Sequence, residues 1–310
     1  MILNQKRIIS LLAAGTEIVC ALGLEAQLVG RSHECDYPES ILNLPVCSEA
    51  MINPSVDSAA IDRQVKGTLT DALSFYHVDR ELIKQLKPDV IITQTQCAVC
   101  AVSFNDVKEA LKDLLDYPVE IISLEPDNLD AVFTDIKTVS EVLGVPERGA
   151  DLLDRMQERM DLIRHKLKFI SQKPTVACIE WIEPLMMAGN WTPEMVAIAG
   201  GQAVLAQSGK HSTAIEWTDF VQADPEIIVV MPCGFGIERT LKEMDTLLQQ
   251  PYFQELQAVK NNQLFIADGN QYFNRSGPRI VDSVEILAEI INPKQFIFGY
   301  EGEGWIRFGV

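Results

Sequence analysis

Two cysteines separated by two residues, Cys97 and Cys100, have the spacing of a metal-ligand pair or a redox pair. His33 and Cys35 flank Glu34 and supply the other donor types of a soft tetrahedral site. The four residues His33, Cys35, Cys97 and Cys100 are therefore a candidate site for zinc or another soft metal. The alternative is two small residues entering a helix after a strand, since a single CxxC lacks a second pair. If Cys97 and Cys100 do start a helix, its N-terminus favours the thiolate form.

The chain has seven cysteines, an odd number, the others being Cys20, Cys47, Cys178 and Cys233. Cys20 and Cys178 lie in apolar runs and read as core, and Cys233 lies in a Pro–Cys–Gly turn. Lys6-Arg7 followed by IISLLAAG resembles the start of an export signal, but Glu17 interrupts the run and a strand, a turn and a helix explain the same residues. Free thiols in a cytoplasmic protein are expected, with the periplasm as the alternative. His77 and His165 read as helical, and His211 as a loop residue.

The elements that must position these residues alternate. Arg7-IISL, Gln27-LVG, Asp89-VIITQ, Val119-EIISL, Thr175-VACIEW, Glu226-IIVVMP and Gln263-LFIAD read as strands. Helical patterns lie between several of them: Thr16–Leu24, Asp79–Leu86, Val102–Leu115, Trp191–Ala199 and Thr240–Leu248. The expected fold class is α/β, with two Rossmann-like lobes holding parallel sheets. Glu17-IVCALG is echoed by Glu194-MVAIAG, and Lys87-PDVIIT by Ala223-DPEIIVV, which suggests related lobes. Between them, apolar residues at Leu153, Met156, Met160, Ile163 and Leu167 predict a single long backbone helix over Glu147–Ile170, roughly 36 Å at 1.5 Å per residue. The expected domains are an N-terminal lobe at 1–126, a helical linker at 127–172 and a C-terminal lobe at 173–310. A helical linker holds its lobes at a nearly fixed separation, so little movement on ligand binding is expected.

Ligands of open α/β sheets bind beyond the carboxyl ends of the strands. There the sequence places Arg31, His33, Glu34, Cys35 and Tyr37 after the second strand, and Gln96 after the third. Trp191, Phe235, Tyr272, Phe273 and Arg275 follow strands of the second half. Trp191, Tyr272 and Phe273 suit the walls of a cleft for a flat, largely apolar ligand; Trp217 fits core packing equally well. Gly-rich phosphate loops and a Gly-x-Ser-x-Gly elbow are absent from the sequence, and no base or orienting partner is assignable to any thiol, so the chain reads as a binding protein rather than an enzyme.

Over the 310 residues, 26 basic and 44 acidic side chains give a net charge of −18. That balance disfavours nucleic acid and anionic membranes as partners. No stretch reaches the ~18 apolar residues of a membrane span, so membrane insertion is not expected.

Arg7-IISLLAAGTEIVCALGL, GRSHECDYP, KPDVIITQ, the long helix, GNWTPEMVAIAGG, DPEIIVVMPCGF and DGNQYFNRSGPRIVDSVEIL together resemble the cobalamin-binding solute-binding proteins of the BtuF type. These belong to the helical-backbone (class III) periplasmic binding protein class. The resemblance runs over about residues 7 to 293. It implies a small-molecule ligand, cobalamin or another corrinoid or related tetrapyrrole, held in an interlobe cleft, and an ABC transporter permease as partner. The family's ligand-side turn falls on Glu34-Cys35-Asp36-Tyr37-Pro38, and its aromatic turn on Tyr272, Phe273 and Arg275. The acid that docks on the permease falls on Glu81 in the first lobe; in the second lobe Glu216 and Asp219 are the nearby acids, with Asp219 taken as the partner. Ala13-Ala14 replaces the usual Pro-Ser or Pro-Ala. The thiols at Cys35, Cys97 and Cys100 depart from the exported members and fit a subgroup that stays inside the cell. The alternative function is an intracellular metal-binding or thiol-dependent protein built on the His33, Cys35, Cys97 and Cys100 cluster.

Overall fold

The computed structural model describes residues 5–50, 53, 55–71, 76–94, 108 and 117–309. The chain divides into two compact units. The first holds residues up to Val56, Arg63–Pro126 and Asp130–Asp154; the second holds Asp57–Asp62, Asp127–Leu129 and Arg155–Val310. Residues 127–172 thus divide between the two units.

In the first unit the strands are β1 (Ile8–Ser10), β2 (Leu28–Arg31), β3 (Ser48–Ala50), β4 (Tyr76–Val78), β5 (Val90–Gln94) and β6 (Glu120–Leu124). β2, β1, β5 and β6 form a parallel sheet in that order, while β3 and β4 form a small antiparallel pair. Ile8, Ile9, Val90, Ile91 and Ile92 are completely buried, as expected for strands covered on both faces. The helices are α1 (Ala13–Ala21), α2 (Ser58–Asp71), α3 (Arg80–Leu86) and α4 (Leu129–Val142), of which α2 up to Asp62 and Leu129 of α4 fall in the second unit. His77, expected in a helix, lies in β4 opposite Glu49, because the pairing with β3 outweighs a helical pattern only a few residues long. The helix expected over Val102–Leu115 lies outside the described residues.

The long helix is α5 (Pro146–Leu167), 22 residues, or about 33 Å. Its buried side is Leu152, Met156, Met160, Ile163 and Leu167, so Leu152 rather than Leu153 takes the first core position. Its first nine residues fall in the first unit and the rest in the second.

The second unit contains β7 (Thr175–Trp181), β8 (Met186–Met187), α6 (Thr192–Ile198), β9 (Gln202–Ala203), β10 (Thr213–Ala214), α7 (Trp217–Ala223) and β11 (Ile227–Val230). After these come α8 (Ile237–Leu241), α9 (Met244–Leu248), α10 (Gln257–Lys260), β12 (Leu264–Ala267), α11 (Ile280–Ile291) and β13 (Trp305–Arg307). The sheet order is β10-β8-β7-β11-β12-β13, with β9 beside β7. Its centre is parallel, and β8, β10 and β13 are antiparallel additions at the sides. The single helix expected over Thr240–Leu248 is two short ones, α8 and α9, interrupted at Lys242 and Glu243.

α11 is buried at every residue but Asp282, including Glu285 and Glu289. Buried carboxylates need partners. Glu285 and Asp282 hold Arg159 of α5 at 2.6 Å each. Glu289 accepts from the backbone N–H of Phe298, Gly299 at 2.6 Å and Tyr300 at 3.3 Å, and from the Trp305 indole at 2.8 Å.

The sequence echoes have structural counterparts. α3 and α7 each end on a left-handed residue, Lys87 (φ 47°) and Asp224 (φ 36°), followed by proline and an acid. Asp89 then accepts from the N–H of Arg7 at 2.8 Å, and Glu226 from that of Thr175 at 2.8 Å. Each of these donors lies one residue before the start of the parallel register shared with β5 or β11. The same acid therefore ties the start of the same strand in both units.

Candidate functional site

In the first unit the loop after β2 is organised by Arg31. Its guanidinium donates to the carbonyls of Ser32 (3.0 Å), Cys35 (3.1 Å) and Leu42 (3.2 Å). Arg31 therefore shapes the loop from inside. His33 is half-buried, with Nδ1 3.0 Å from the Ser48 hydroxyl and Nε2 3.8 Å from the Glu34 carboxylate. Burial lowers its pKa, which favours the neutral imidazole that a metal or a cobalt or iron centre would take. Cys35 has no exposed surface; its sulfur accepts from Thr16 Oγ1 at 3.1 Å and faces the Ser10 carbonyl at 3.7 Å. The thiol points into the unit while Glu34 and Tyr37 stay exposed. Gln96, Cys97 and Cys100 lie outside the described residues. Among the described residues no group of three or more His, Cys, Asp or Glu is placed to hold a metal ion. Burial pushes the thiols of Cys20, Cys47 and Cys178 up to about 12, so they are protonated and unreactive at neutral pH.

At the sheet end of β6, Glu125 follows the last strand residue, and Asp135 of α4 accepts a hydrogen bond from its backbone N–H. Burial raises the Asp135 carboxyl to about 7, and the Glu125 charge adds to the rise.

In the second unit, the ends of β7, β11 and β12 carry a connected set of aromatic and charged groups. Trp181, the last residue of β7, lies with its ring 5.3 Å from that of Phe235, tilted 53°. The Arg239 guanidinium sits 4.7 Å over the same Phe235 ring and is paired with Glu243 at 2.8 Å. One residue before Trp181, Glu180 accepts from the Ser212 hydroxyl, which itself accepts from the Gly189 N–H at 2.9 Å. Burial raises the Glu180 pKa.

The loop after β12 is a single wide turn, Gly269–Phe273, capped by Asp268, which accepts from Gln271 N–H at 2.7 Å. Burial raises the Asp268 pKa against the opposing pull of Arg275 and Arg279. Gly269 is required by close approach: a Cβ there would overlap the carbonyl oxygens of Met231 and Pro232. That approach brings the loops after β11 and β12 together. Tyr272 is half-buried, with Arg279 5.5 Å over its ring and Tyr300 edge-on at 5.9 Å.

The aromatics expected from the sequence therefore separate. Phe235 is buried inside the cluster at the strand ends, where Trp181 is the partly exposed ring, and Tyr272 keeps an accessible face. Trp191 and Phe273 are buried, the Trp191 indole donating to the Phe273 carbonyl at 3.1 Å, so both support the turn from beneath. Arg275 is also buried and donates to Asn270 Oδ1 at 3.3 Å. Trp217 packs between Phe220 and Phe253. Trp181 and Arg239 are absent from the sequence-derived set; the position of Trp181 as the last residue of its strand was the available signal.

Glu81 is exposed in the first turn of α3, and Asp219 in the first turn of α7. Glu81 stands seven residues before Pro88; seven before Pro225 stands Thr218, so Asp219 lies one residue past the equivalent position.

A family model described as periplasmic binding protein matches residues 8–270. The chain belongs to the periplasmic binding protein family. A "Vitamin B12-binding protein" of Vibrio cholerae is 25% identical over 293 residues, covering 94% of this chain and 90% of that protein. An ABC transporter substrate-binding lipoprotein of Bacillus subtilis is 23% identical over 297 residues, covering 94% and 81%. Among solved structures, a possible iron-binding (periplasmic solute-binding) protein from Staphylococcus epidermidis matches with TM-score 0.70 at 19% identity, over 93% of this chain and 100% of that one. The vitamin B12-binding protein BtuF of Vibrio cholerae matches with TM-score 0.65 at 22% identity, over 93% and 97%. The periplasmic binding protein fold is thus the fold of this chain, two α/β lobes with a long backbone helix. The Bacillus protein is named a lipoprotein and the two solved structures are named periplasmic, and none of these names supports the cytoplasmic expectation. Among the described residues no helix is long and apolar enough to cross a membrane.

Proposed function

We propose that this periplasmic binding protein family member is the substrate-binding component of an ABC importer, and that its ligand is a corrinoid or a related tetrapyrrole such as haem. The observation that carries the reading is the Trp181–Phe235–Arg239 cluster at the strand ends of the second unit. An aromatic face suits a flat macrocycle, and a guanidinium suits the amide or carboxylate arms around it. Tyr272 and Arg279 repeat the combination one loop away. In the first unit Tyr37, Glu34 and His33 are the residues of the β2 loop that stay accessible to a ligand, with Arg31 and Cys35 holding that loop in shape. The reading includes no catalysis. It places the protein with its periplasmic and lipoprotein-type relatives, and gives Glu81 and the acids around Thr218, Glu216 and Asp219, the role of docking on a permease.

The test is titration of the purified protein with cyanocobalamin and with hemin, followed by visible absorption and co-elution on gel filtration. One of the two is expected to co-elute at one equivalent or more. Trp181→Ala is expected to weaken that binding about tenfold, from loss of roughly 1.5 kcal/mol of ring contact. Failure of both ligands to co-elute overturns the reading. Metal analysis of the same sample separates the alternative that uses His33, Cys35, Cys97 and Cys100.

A further inference from the structure

Although acids exceed bases by 18 over the chain, residues 164–173 contain Arg164, Lys166, Lys168 and Lys173, one histidine and no acid. This segment is the last turn of α5 and the chain just beyond it, all within the second unit. All four cationic residues are exposed. Arg164 pairs with Asp161 at 2.7 Å; with the described residues Lys166, Lys168 and Lys173 form no ion pair.

Large apolar side chains stand beside these cations. Phe169 and Ile297 are each 90% exposed, and Leu162, one turn before Lys166, is 50% exposed. The Lys168 ammonium lies 5.7 Å from the Phe169 ring, and that of Lys166 lies 5.2 Å over Phe296, the neighbour of Ile297. Arg164, Lys168 and Lys173 also line a cavity of about 220 Å³, floored by Leu167, Ile170 and Gly200.

Exposed phenylalanine and isoleucine gain nothing from a soluble anion, but they gain from entering an interface between headgroups and acyl chains. Lysines around them attract anionic headgroups. The net charge of −18 opposes this only weakly, since charges farther away than about 8 Å are screened at physiological ionic strength. We propose that this cationic and aromatic patch seats the second unit on an anionic phospholipid surface, Phe169 and Ile297 entering the headgroup boundary while the lysines meet lipid phosphates. The corrinoid reading plays no part in it.

The experiment is co-sedimentation of the full chain with phosphatidylcholine vesicles with and without phosphatidylglycerol. Binding is expected only with phosphatidylglycerol, and high salt is expected to abolish it. At roughly tenfold per 1.4 kcal/mol and about 1 kcal/mol per lysine near the surface, Lys166→Gln with Lys168→Gln weakens partitioning about 30-fold. Phe169→Ala weakens it tenfold or more. The control Lys242→Gln with Lys260→Gln changes the net charge equally but leaves the patch intact, and is expected to bind like the parent. Equal loss in the control pair, binding to pure phosphatidylcholine, full displacement by inorganic phosphate, or a salt-sensitive dimer without vesicles would each overturn the proposal.

Discussion

Replacing Asp135 by Asn tests whether the end of β6 stores a pH-dependent strain. Asp135 is partly buried beside Glu125, and its carboxyl titrates near 7 in the folded chain against an ordinary value of 3.8. The folded pKa lies above the unfolded one, so its stabilising contribution is fully present below about pH 4 and lost as pH rises through 7. Between pH 8 and pH 5 the folded form binds a proton over about two pH units that the unfolded form does not. At about 1.36 kcal/mol per unit that is about 2.7 kcal/mol. Residual exposure of the side chain screens part of it, leaving roughly 1.5 kcal/mol. The Asn variant lacks the titration, so its stability relative to the parent is expected to improve by that amount on going from pH 5 to pH 8. Any pH-independent cost of the substitution cancels in this difference. Urea unfolding at both pH values measures it. The same difference between parent and variant at pH 5 and pH 8, or a change of opposite sign, refutes the reasoning.

Glu289→Ala leaves the N–H groups of Phe298, Gly299 and Tyr300 and the Trp305 indole without their acceptor; a loss of about 3–5 kcal/mol is expected, read by urea unfolding. Glu180→Gln keeps an acceptor for Ser212 and removes a carboxylate whose folded pKa is raised. The raised group stabilises below its ordinary 4.5 and loses that contribution as pH rises, so the variant is expected to gain on the parent in thermal scans from pH 4 to pH 8. Gly269→Ala is expected to displace the turn that carries Tyr272 and so to weaken ligand binding more than it lowers the melting temperature, since its Cβ meets the backbone of Met231 and Pro232.

The fold was legible because its strands are buried on both faces: VIIT and IIVV are apolar without alternation, and each follows a proline and an acid. The site was legible only as a set of loops. Which residue in a loop faces outward depends on what the loop hangs on, and that is a tertiary matter. Arg31 reads as a ligand contact, yet its three carbonyl acceptors lie in its own loop. Cys35 reads as a metal donor beside His33 and the Cys97–Cys100 pair, while in space Thr16 and Ser10 surround its sulfur. Trp191 reads as a cleft wall because it follows Gly-Asn, but its indole is spent on the Phe273 carbonyl. Asp219 reads as the docking acid of the second unit by its charge, and the spacing to Pro225 places it one residue past the position of Glu81 before Pro88.

The anchoring of residues 298–305 on Glu289 has a consequence for the order of assembly. β13 completes the sheet beside β12, and four donors from this late segment converge on a carboxylate in a helix buried at every residue but Asp282. A nascent chain emerging from the ribosome presents α11 before those donors exist. Until Trp305 has appeared, the Glu289 carboxylate lacks its full set of donors, and burying α11 against its sheet costs the desolvation of an unpartnered group. Burial of α11 is therefore coupled to the arrival of β13, over the short stretch of chain between Glu289 and Trp305.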